Sequence, residues 1–266
     1  MHLRRIRRRL AISGKPPHKS TPALLACVLL ALLSYSCGDD GVKPNGNGAD
    51  ADPGWFRQHP LPTGEFLEGV HAVDADTVVC VGSAGTIIRT TDGGTTWTLP
   101  ASGTSNSLYS VFFVDANTGW AVGSGGIILR TIDGGATWAS QSSGTSARLN
   151  AVFFVDTNTG WAVGSEETIL STIDGGATWV ELSPATIVPR RFNDVFFVDA
   201  NTGWAVGVGY YSKGTIHKTA NGGATWAPQN IPTPFIRSVF FVDANTGWTV
   251  GERGTILKTT TGGEPK

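Results

Sequence analysis

Aspartate recurs in a short motif whose residue types could do chemistry. The pattern Thr-x-Asp-x-Gly-x-Thr-Trp places Asp92, Asp133 and Asp174 in equivalent positions, and Asn221 stands in the fourth. An aspartate can act as a general acid or base, and glycoside hydrolysis needs a pair of carboxylates beside the bond. It can also bind the backbone of a tight turn. Because this position recurs by repeat, the sequence favours a turn. Its residues are Asp92, Trp97, Asp133, Trp138, Asp174, Trp179, Asn221 and Trp226.

Other residues capable of chemistry are few. His59, His71 and His217 lack the spacing of metal ligands. No glycine-rich phosphate loop leads from a strand into a helix. Cys80 aligns with alanine or threonine in the other copies of the repeat, which favours a small buried position. The sequence therefore predicts no catalytic residue, no metal site, no cofactor and no enzyme activity.

A longer repeat contains the aspartate motif. SVFFVDANTGWAVG, residues 110–123, returns from residues 151, 194 and 238, and a weaker copy, GVHAVDADTVVCVG, begins at residue 69. Each copy leads through a Thr-Ile-Leu-like run to the motif, and the last copy has Thr261 in place of the aspartate. A period of about 40–45 residues with several short strands is typical of one β-propeller blade. We therefore expect an all-β fold, a five-bladed propeller.

Each copy has the composition of four strands. VFFVD is a short apolar run typical of an inner strand, and DANTG is a turn in which Asp and Asn side chains bind nearby backbone. WAVG and the TIILRT-like run then form the second and third strands. The motif turns the chain into a fourth strand at its tryptophan. Charged residues at 15% and 35 glycines exclude a long helical or coiled-coil protein.

Trp55 indicates how such a ring could close. It lies before the first complete repeat, at nearly one repeat length from Trp97. Residues 55–62 are therefore predicted to supply the missing outer strand of the last blade, which would remove a free sheet edge. The propeller domain is expected over residues 55–266. The alternative is an open array of repeats that needs a partner.

The motif resembles the Asp-box, or BNR repeat, in which the aspartate fixes a hairpin corner and the tryptophan packs beneath it. The whole repeat is similar to the family of photosystem II assembly and stability factors. That resemblance implies a secreted, non-catalytic interaction propeller. Sialidases also carry Asp-boxes, but their Arg-Ile-Pro is absent, and Pro189-Arg190-Arg191 does not match it. A glycan-binding or glycosidase propeller remains the alternative function.

The N-terminal residues have the composition of an export signal. Seven basic residues and no acid precede the apolar run Ala23–Leu33, which is too short to span a bilayer unaided. The cysteine that follows, Cys37, resembles the lipidated residue of a bacterial lipoprotein signal. We expect a signal peptide over 1–36, lipidation of Cys37 and a flexible tether over 37–54. The protein would lie in the bacterial cell envelope, periplasmic or surface-exposed, and the alternatives are plain secretion and an uncleaved anchor.

Removal of the signal changes the charge of the chain. The net charge of −1 for the whole chain combines a basic signal with an acidic mature part. The mature part keeps thirteen basic and twenty-one acidic residues, a net charge of −8. A nucleic-acid partner is therefore disfavoured. The expected partner is a protein or protein complex of the envelope, or a glycan, and contact with the membrane is expected through the lipid anchor only.

Strand direction divides the loops between two faces. The DANTG turns and Asp-boxes should share a first face, which is nearly constant among copies. The loops between second and third strands and the links between blades should share a second face, which varies, with GVGYYSKG the longest of its loops. Aromatic and arginine residues dominate the energetics of protein interfaces. The candidate partner-binding residues are Arg148, Arg190, Arg191, Tyr210, Tyr211, Lys213, Phe235, Arg237 and Arg253.

Two further expectations concern charged residues. The second face also carries Glu166, Glu167 and Glu252, and the alternative is that all of these are ordinary solvated loop residues. A row of basic residues on the third strands is expected to be an exposed strand face. That row consists of Arg89, Arg130, Lys218 and Lys258.

Overall fold

The computed structural model describes residues 58, 62–182, 189–209, 213–229, 231 and 234–264, with only the backbone described for 189 and 190. Contacts divide the chain into residues 1–56 and residues 57–266, and all described residues belong to the second unit. The predicted signal, the lipidation site Cys37, the tether and Trp55 therefore lie outside the described residues. No helix among the described residues is long and apolar enough to cross a membrane.

Five antiparallel sheets follow one another along the chain, each formed by consecutive strands. Sheet 1 has three strands: β1 (Leu67–Ala72), β2 (Thr77–Gly82) and β3 (Ile87–Thr91). Sheet 2 has four strands: β4 (Leu108–Phe113), β5 (Gly119–Gly123), β6 (Ile128–Thr131) and β7 (Ala139–Gln141). Sheet 3 has four strands: β8 (Leu149–Phe154), β9 (Gly160–Gly164), β10 (Ile169–Thr172) and β11 (Val180–Glu181).

Sheets 4 and 5 continue the same pattern. Sheet 4 has four strands: β12 (Pro189–Phe197), β13 (Gly203–Gly209), β14 (Gly214–Thr219) and β15 (Ala227–Gln229). Sheet 5 has three strands: β16 (Ile236–Phe241), β17 (Gly247–Gly251) and β18 (Ile256–Thr259). The all-β prediction is confirmed. Four strands per sheet are present in three of the five, and in sheet 1 the fourth strand is reduced to one bridge between Arg89 and Thr98.

The first strand of each sheet carries an irregularity at the same place. The register of β4 against β5 shifts between Leu108 and Ser110, which leaves Tyr109 as an extra residue. The same shift occurs in β8 between Leu149 and Ala151, and in β16 between Ile236 and Ser238. A bulge of this kind bends a strand and turns one side chain away from its regular direction. The bulge therefore sets the direction of the extra side chain, whereas the residue type at this position differs between copies of the repeat.

Consecutive sheets pack against each other through a repeated tryptophan. Trp161 on β9 is 1% exposed and stacks on Phe197 of sheet 4, with ring centroids 3.4 Å apart. Its indole N–H donates to the Gly222 carbonyl at 2.9 Å. Trp120 stacks in the same way on Phe154, and Trp204 on Phe241. Because each tryptophan belongs to one sheet and its partners to the next, the stack fixes the spacing between sheets.

The first strands of neighbouring sheets lie side by side, and their aromatic rings, half-buried except for the exposed Phe240, form a ladder. The centroid distances are 5.2 Å for His71–Phe112, 4.9 Å for Phe112–Phe153 and 5.0 Å for Phe153–Phe196. The last step, Phe196–Phe240, is 4.9 Å. The near-constant spacing shows that one packing geometry is repeated from sheet 1 to sheet 5.

Candidate functional site

Both constant turns of each sheet lie at the same edge, as strand direction predicts. The N–H of Gly134 in the box of sheet 2 donates to the carbonyl of Asn117 in the preceding DANTG turn at 2.9 Å. The corresponding bond joins Gly175 to Asn158 at 2.8 Å in sheet 3. The opposite edge brings the loops between second and third strands against the links, since Ser124 N–H donates to Ser107 O at 2.9 Å. We call the edge with the Asp-boxes the first face and the opposite edge the second face.

The carboxylate of the Asp-box is occupied by its own turn. Asp133 Oδ1 accepts hydrogen bonds from the Thr137 N–H at 2.9 Å and the Thr131 hydroxyl at 2.8 Å. Its Oδ2 accepts from the Thr137 hydroxyl at 2.6 Å. The hydroxyl bond from Thr137, followed by the Thr137 N–H and the Thr131 hydroxyl, lowers the pKa of Asp133 to about 2. The pKa values of Asp92 and Asp174 are lowered to about 2 by the equivalent bonds. These carboxylates are therefore structural acceptors rather than proton donors at neutral pH.

Asparagine makes the same turn without a charge. Asn221 Oδ1 accepts from the Thr225 N–H at 2.9 Å and the Thr219 hydroxyl at 3.0 Å. Its Nδ2 donates to the Thr225 hydroxyl at 2.9 Å. In the last box, the Thr261 hydroxyl donates to the Glu264 carbonyl at 2.7 Å, so the bonds to its turn are reduced. The chain thus contains its own neutral version of the box.

The boxes should make the stability of the protein sensitive to acid. Because the pKa of Asp92, Asp133 and Asp174 is about 2 in the fold against 3.8 otherwise, their stabilisation is complete above about pH 4 and is lost as the pH falls through 2. The triple variant Asp92→Asn, Asp133→Asn, Asp174→Asn gives every box the asparagine that the chain has at Asn221. The triple variant should keep the turns, and its free energy of unfolding should depend less on pH in this acid range. Urea midpoints measured from pH 2 to pH 6 test this, and superimposable profiles for the variant and the parent would contradict it.

The box tryptophans pack edge-on against the first strand of their own sheet. Trp138 lies 6.0 Å from Phe113 at an interplanar angle of 84°, and Trp179 lies 5.8 Å from Phe154 at 90°. Trp226 lies 6.0 Å from Phe197 at 84°. Each also joins the apolar cluster shared with the preceding sheet. Trp97 of sheet 1 is half-buried.

Arg148, a candidate partner-binding residue, is held by its neighbours on the second face. Its guanidinium carbon lies 3.7 Å from the centroid of the Tyr109 ring, and its Nε donates to Asn150 Oδ1 at 2.8 Å. Asn150 in turn donates through Nδ2 to the Phe192 carbonyl of sheet 4 at 2.6 Å. Tyr109 and Asn150 are the extra residues of two strand bulges. The arginine is therefore exposed but positioned, with contacts that reach sheets 2, 3 and 4.

Three other candidates meet in sheet 5. Arg237, the bulge residue of β16, forms an ion pair with Glu252, and the Glu252 N–H donates to the Phe235 carbonyl at 2.9 Å. Arg253 is exposed at the tip of the next turn with φ of 54°. Arg237 thus pairs with the Glu252 side chain, Phe235 bonds its backbone, and Arg253 follows it in the sequence.

The remaining candidates are more scattered. Arg191 is half-buried on β12 and forms a bridge with Ser165, next to the turn that holds Glu166 and Glu167. Lys213 is exposed, and its carbonyl closes the long sheet-4 hairpin by accepting the Gly209 N–H at 2.8 Å. Tyr210, Tyr211 and the side chain of Arg190 lie outside the described residues. The structure places the described candidates on the second face in separate groups, without a direct contact between the groups.

Sequence reasoning found Arg237 among the bulge residues of this face but missed Tyr109, Asn150 and Asn193. Asn193 donates to the Ile236 carbonyl at 2.6 Å, as Asn150 does one sheet earlier. These residues follow the first apolar residue of each inner strand, where the copies read Leu-Tyr-Ser, Leu-Asn-Ala, Phe-Asn-Asp and Ile-Arg-Ser. A variable position between constant apolar neighbours is the signal that could have identified them.

The row of basic residues on the third strands requires a correction. Arg89 and Arg130 are half-buried rather than exposed, because the box of the next sheet covers them. Arg89 Nε donates to the Gly134 carbonyl at 2.7 Å, and Arg130 lies over the Trp120 ring at 5.7 Å. Lys218 lies over Trp204 at 5.8 Å, whereas Lys258 is exposed as expected. Arg89, Arg130 and Lys218 contribute to contacts between sheets.

Two further polar residues, the buried His217 and the half-buried Asp194, are also structural. Burial lowers the pKa of His217 to about 4, and its Nδ1 contacts the Thr215 hydroxyl at 3.1 Å. Asp194 accepts from the Ser238 hydroxyl at 2.7 Å and the Val239 N–H at 3.0 Å, which ties sheet 4 to sheet 5. Within the described ranges, no three His, Cys, Asp or Glu residues form a group that could hold a metal ion. Cys80 is a buried free thiol.

Glu166 and Glu167 occupy a strained turn on the second face. Their φ values are 56° and 65°, in the left-handed region that favours glycine. Gly126, the counterpart of Glu167 in sheet 2, has φ of 70°. Glu167 therefore adopts a backbone conformation that costs free energy for a residue with a side chain.

Glu167→Gly should relieve that cost. We expect a gain of about 0.5–1 kcal/mol in the free energy of unfolding, the left-handed penalty less the extra freedom of glycine in the unfolded chain. Glu167→Ala removes the charge and keeps the strain, so it should give no gain. Urea denaturation of both variants separates strain from charge. Equal gains in the two would contradict the assignment to strain.

Comparisons with known proteins agree with this picture. Residues 50–142 match the family model described as photosynthesis system II assembly factor YCF48. The fold is similar to YCF48 from Cyanidioschyzon merolae, at 23% identity and a TM-score of 0.60, over 77% of this chain and 70% of that one. The WD40 β-propeller domain of Doa1 is similar at 18% identity and a TM-score of 0.59, over 73% of this chain and 65% of that one.

A glycoside hydrolase also shares the fold. The GH74 enzyme of Niastella koreensis is similar at 17% identity and a TM-score of 0.58, over 70% of this chain and 35% of that one. No curated protein sequence matches the chain. At these identities the structural likenesses concern the fold alone. The family resemblance predicted from the repeats is confirmed by the match of residues 50–142 to the photosystem II assembly factor family, and the five described sheets are arranged like propeller blades.

Proposed function

We propose that this protein is a non-catalytic binding or assembly-scaffold propeller that contacts a protein partner through its second face. The observation that carries the proposal is the contrast between the two faces. On the first face, the polar side chains of the boxes are bound to their own turns. On the second face, the exposed Arg148 side chain is held by the bulge residues Tyr109 and Asn150, and the exposed Glu166 stands on a strained turn. Strain retained at exposed loop residues supports a functional role.

The state of the carboxylates supports a non-catalytic role. A glycosidase needs one carboxylic acid with a raised pKa to protonate the leaving group. The box aspartates are acceptors with pKa near 2, and Asp194, whose pKa is raised by burial, accepts three hydrogen bonds from the chain itself. The matched family is described as an assembly factor, which also supports a protein partner.

The expected partner surface is acidic or mixed in charge. Arg148, Arg191 and Arg237 are exposed or half-buried on the second face, whereas the mature chain as a whole is acidic. Charge complementarity of this kind guides encounter and selects partners more than it adds affinity. The finer part of the proposal is that the protein acts in the cell envelope, anchored by a lipid on Cys37.

A capture experiment with matched variants tests the binding face. The full chain would be compared with Arg148→Ala, Arg191→Ala, Arg237→Ala on the second face and with Asn117→Ala, Asn158→Ala, Asn201→Ala on the first. We expect the arginine variant to lose a defined envelope protein that the parent and the asparagine variant retain. Loss in the asparagine variant instead, or equal capture by all three, would contradict the assignment.

The glycan alternative has one specific observation in its favour, the shared fold with a GH74 enzyme. A glycan array and a glycosidase assay on the purified chain separate the two functions, and turnover would refute the non-catalytic proposal. The anchor has its own test: Cys37→Ser should move the protein from the membrane fraction to the soluble fraction. Unchanged fractionation would refute lipid anchoring at that residue.

A further inference from the structure

The Asp-box of sheet 4 carries the one Asn-Gly pair of the described ranges, Asn221-Gly222. Asparagine is among the thermolabile residues of proteins, and a following glycine has no Cβ to keep its backbone nitrogen away from the asparagine side chain. Asn221 is also exposed to water. The boxes of sheets 1 to 3 carry Asp92, Asp133 and Asp174, which have no side-chain amide to lose.

In the folded box, both groups that could react are held by hydrogen bonds. The Gly222 N–H donates to the Asn201 carbonyl at 2.9 Å, which keeps its nitrogen occupied. The Asn221 side chain accepts from the Thr219 hydroxyl at 3.0 Å and from the Thr225 N–H at 2.9 Å. Its Nδ2 donates to the Thr225 hydroxyl at 2.9 Å. Attack on the amide therefore requires the turn to open.

The box of sheet 4 is held less firmly than the boxes with aspartate. Hydrogen bonds to an ionised carboxylate are roughly twice as strong as bonds between neutral groups. The Trp226 indole N–H has no hydrogen-bond partner among the described residues, whereas that of Trp179 in sheet 3 donates to Gln141 Oε1 at 3.3 Å. Leu182 explains the difference, because it lies against the sheet-4 box where Gln141 lies against the sheet-3 box. Local opening should therefore be easier in sheet 4.

We propose that Asn221 is a site of spontaneous deamidation, with water as the co-reactant, and that opening of the sheet-4 box controls its rate. The Gly222 nitrogen, after losing its proton to base, attacks Asn221 Cγ. A bond from this nitrogen to Cγ forms, the Cγ–Nδ2 bond breaks, and Nδ2 takes up a proton and leaves as ammonia. Water then opens the cyclic imide. Cleavage of the new bond gives aspartate, and cleavage of the original peptide bond gives isoaspartate.

The two products differ in what they do to the box. Aspartate at residue 221 gives sheet 4 the residue of the boxes in sheets 1 to 3, with a second oxygen that accepts the hydroxyl of Thr225 as the equivalent threonines are accepted there. Isoaspartate carries the main chain through the side-chain carbon and lengthens it by one methylene. The Gly223 N–H, which donates to the Thr219 hydroxyl at 2.8 Å, then loses its alignment. Deamidation therefore completes the box or breaks it, according to the side on which the imide opens.

Peptide mapping by mass spectrometry tests the site in the full chain, aged in mildly alkaline buffer. Asn221 should deamidate about tenfold or more slowly in the folded protein than in urea, because only the open fraction reacts. Asn45 and Asn47 also precede glycine, and they are mapped in the same digest as positive controls. Equal rates at Asn221 in the two states, or no reaction there in urea while the controls react, would overturn the proposal.

Matched variants test the control by the box. Thr225→Ala removes the hydroxyl that holds Nδ2, so it should raise the folded-state rate several-fold and leave the rate in urea unchanged. Thr225→Ser keeps the hydroxyl and should behave as the parent. Asp174→Asn places the same Asn-Gly pair in the sheet-3 box, where it should react several-fold more slowly than Asn221 in the folded protein and at a similar rate in urea. Equal folded-state rates for Thr225→Ala and the parent, or for the two boxes, would overturn the control assigned to the turn.

Limited proteolysis of the aged protein separates the two products. Chains with aspartate at residue 221 should resist digestion as the Asn221→Asp variant and the parent do, because their box is intact. Chains with isoaspartate should be digested several-fold faster. Equal resistance of the two products, or rapid digestion of Asn221→Asp, would overturn the difference assigned to them.

Discussion

Trp161→Ala is expected to lower the free energy of unfolding by about 3–5 kcal/mol, the range for removing a fully buried large aromatic side chain. Trp161 is 1% exposed, stacks on Phe197 at 3.4 Å and donates its indole N–H to Gly222 at 2.9 Å. Its loss removes the stack and the hydrogen bond from one interface at once. Because repeat proteins are held together by interfaces between neighbouring units, the loss should be felt along the row of sheets.

A milder substitution separates the two contributions. Trp161→Phe keeps an aromatic ring near Phe197 and removes the N–H that Gly222 accepts, so its loss should be clearly smaller than that of alanine. Urea denaturation followed by far-ultraviolet circular dichroism measures both variants without relying on the fluorescence of the altered residue. Losses of under about 1 kcal/mol for Trp161→Ala would contradict the assigned role of the stack.

Gly126→Ala should also be strongly destabilising, by about 2–5 kcal/mol. Gly126 has φ of 70°, and a Cβ at this position would stand 2.0 Å from the Thr145 carbonyl oxygen. The backbone of the link cannot move away without disturbing the hydrogen bond between Ser143 and Thr145. Strain and steric overlap therefore add together.

Gly144→Ala is the matched control. Gly144 has φ of 75°, but a Cβ there would meet nothing within 4 Å. The Gly144→Ala substitution should therefore lower the free energy of unfolding only by the backbone penalty of about 1–2 kcal/mol. The same denaturation experiment compares the two variants. Equal losses would show that the close approach to Thr145 does not matter.

Much of the fold could be predicted from the sequence because each copy of the repeat contains turn motifs with characteristic residues. In the DANTG turn and the Asp-box, side chains form hydrogen bonds with residues a few positions away in the sequence, as Asp133 does with Thr131 and Thr137. Local bonds of this kind are visible in a motif. The position of Trp161 on the second strand of its sheet could likewise be predicted from its place in the repeat.

Contacts between sheets were less predictable. Arg89 and Arg130 alternate along their strands as exposed residues would, yet the boxes of the following sheets cover them. The candidate face was predicted in outline from strand direction, but Tyr109 and Asn150 owe their roles to bulges that change the direction of one side chain. Such effects depend on neighbouring sheets and cannot be read from one copy of the repeat.

The constancy of one face and the variation of the other suggest how the protein is organised. The first face repeats one turn, and its side chains serve that turn. The second face combines variable bulge residues with turns such as that of Glu166 and Glu167, so that a common scaffold presents different side chains. A binding function is served by this division because loops on a rigid scaffold can vary without disturbing the core.

Hydroxyl-radical footprinting of the full chain in extract of the cells that make it, compared with the purified chain, tests the central claim most directly. The account predicts protection of the second face, at residues 107–109, 145–150 and 235–237, with the turns at Asn117, Asn158 and Asn201 equally reactive in both samples. Protection of the asparagine turns in place of the second face, or identical footprints in the two samples, would contradict it.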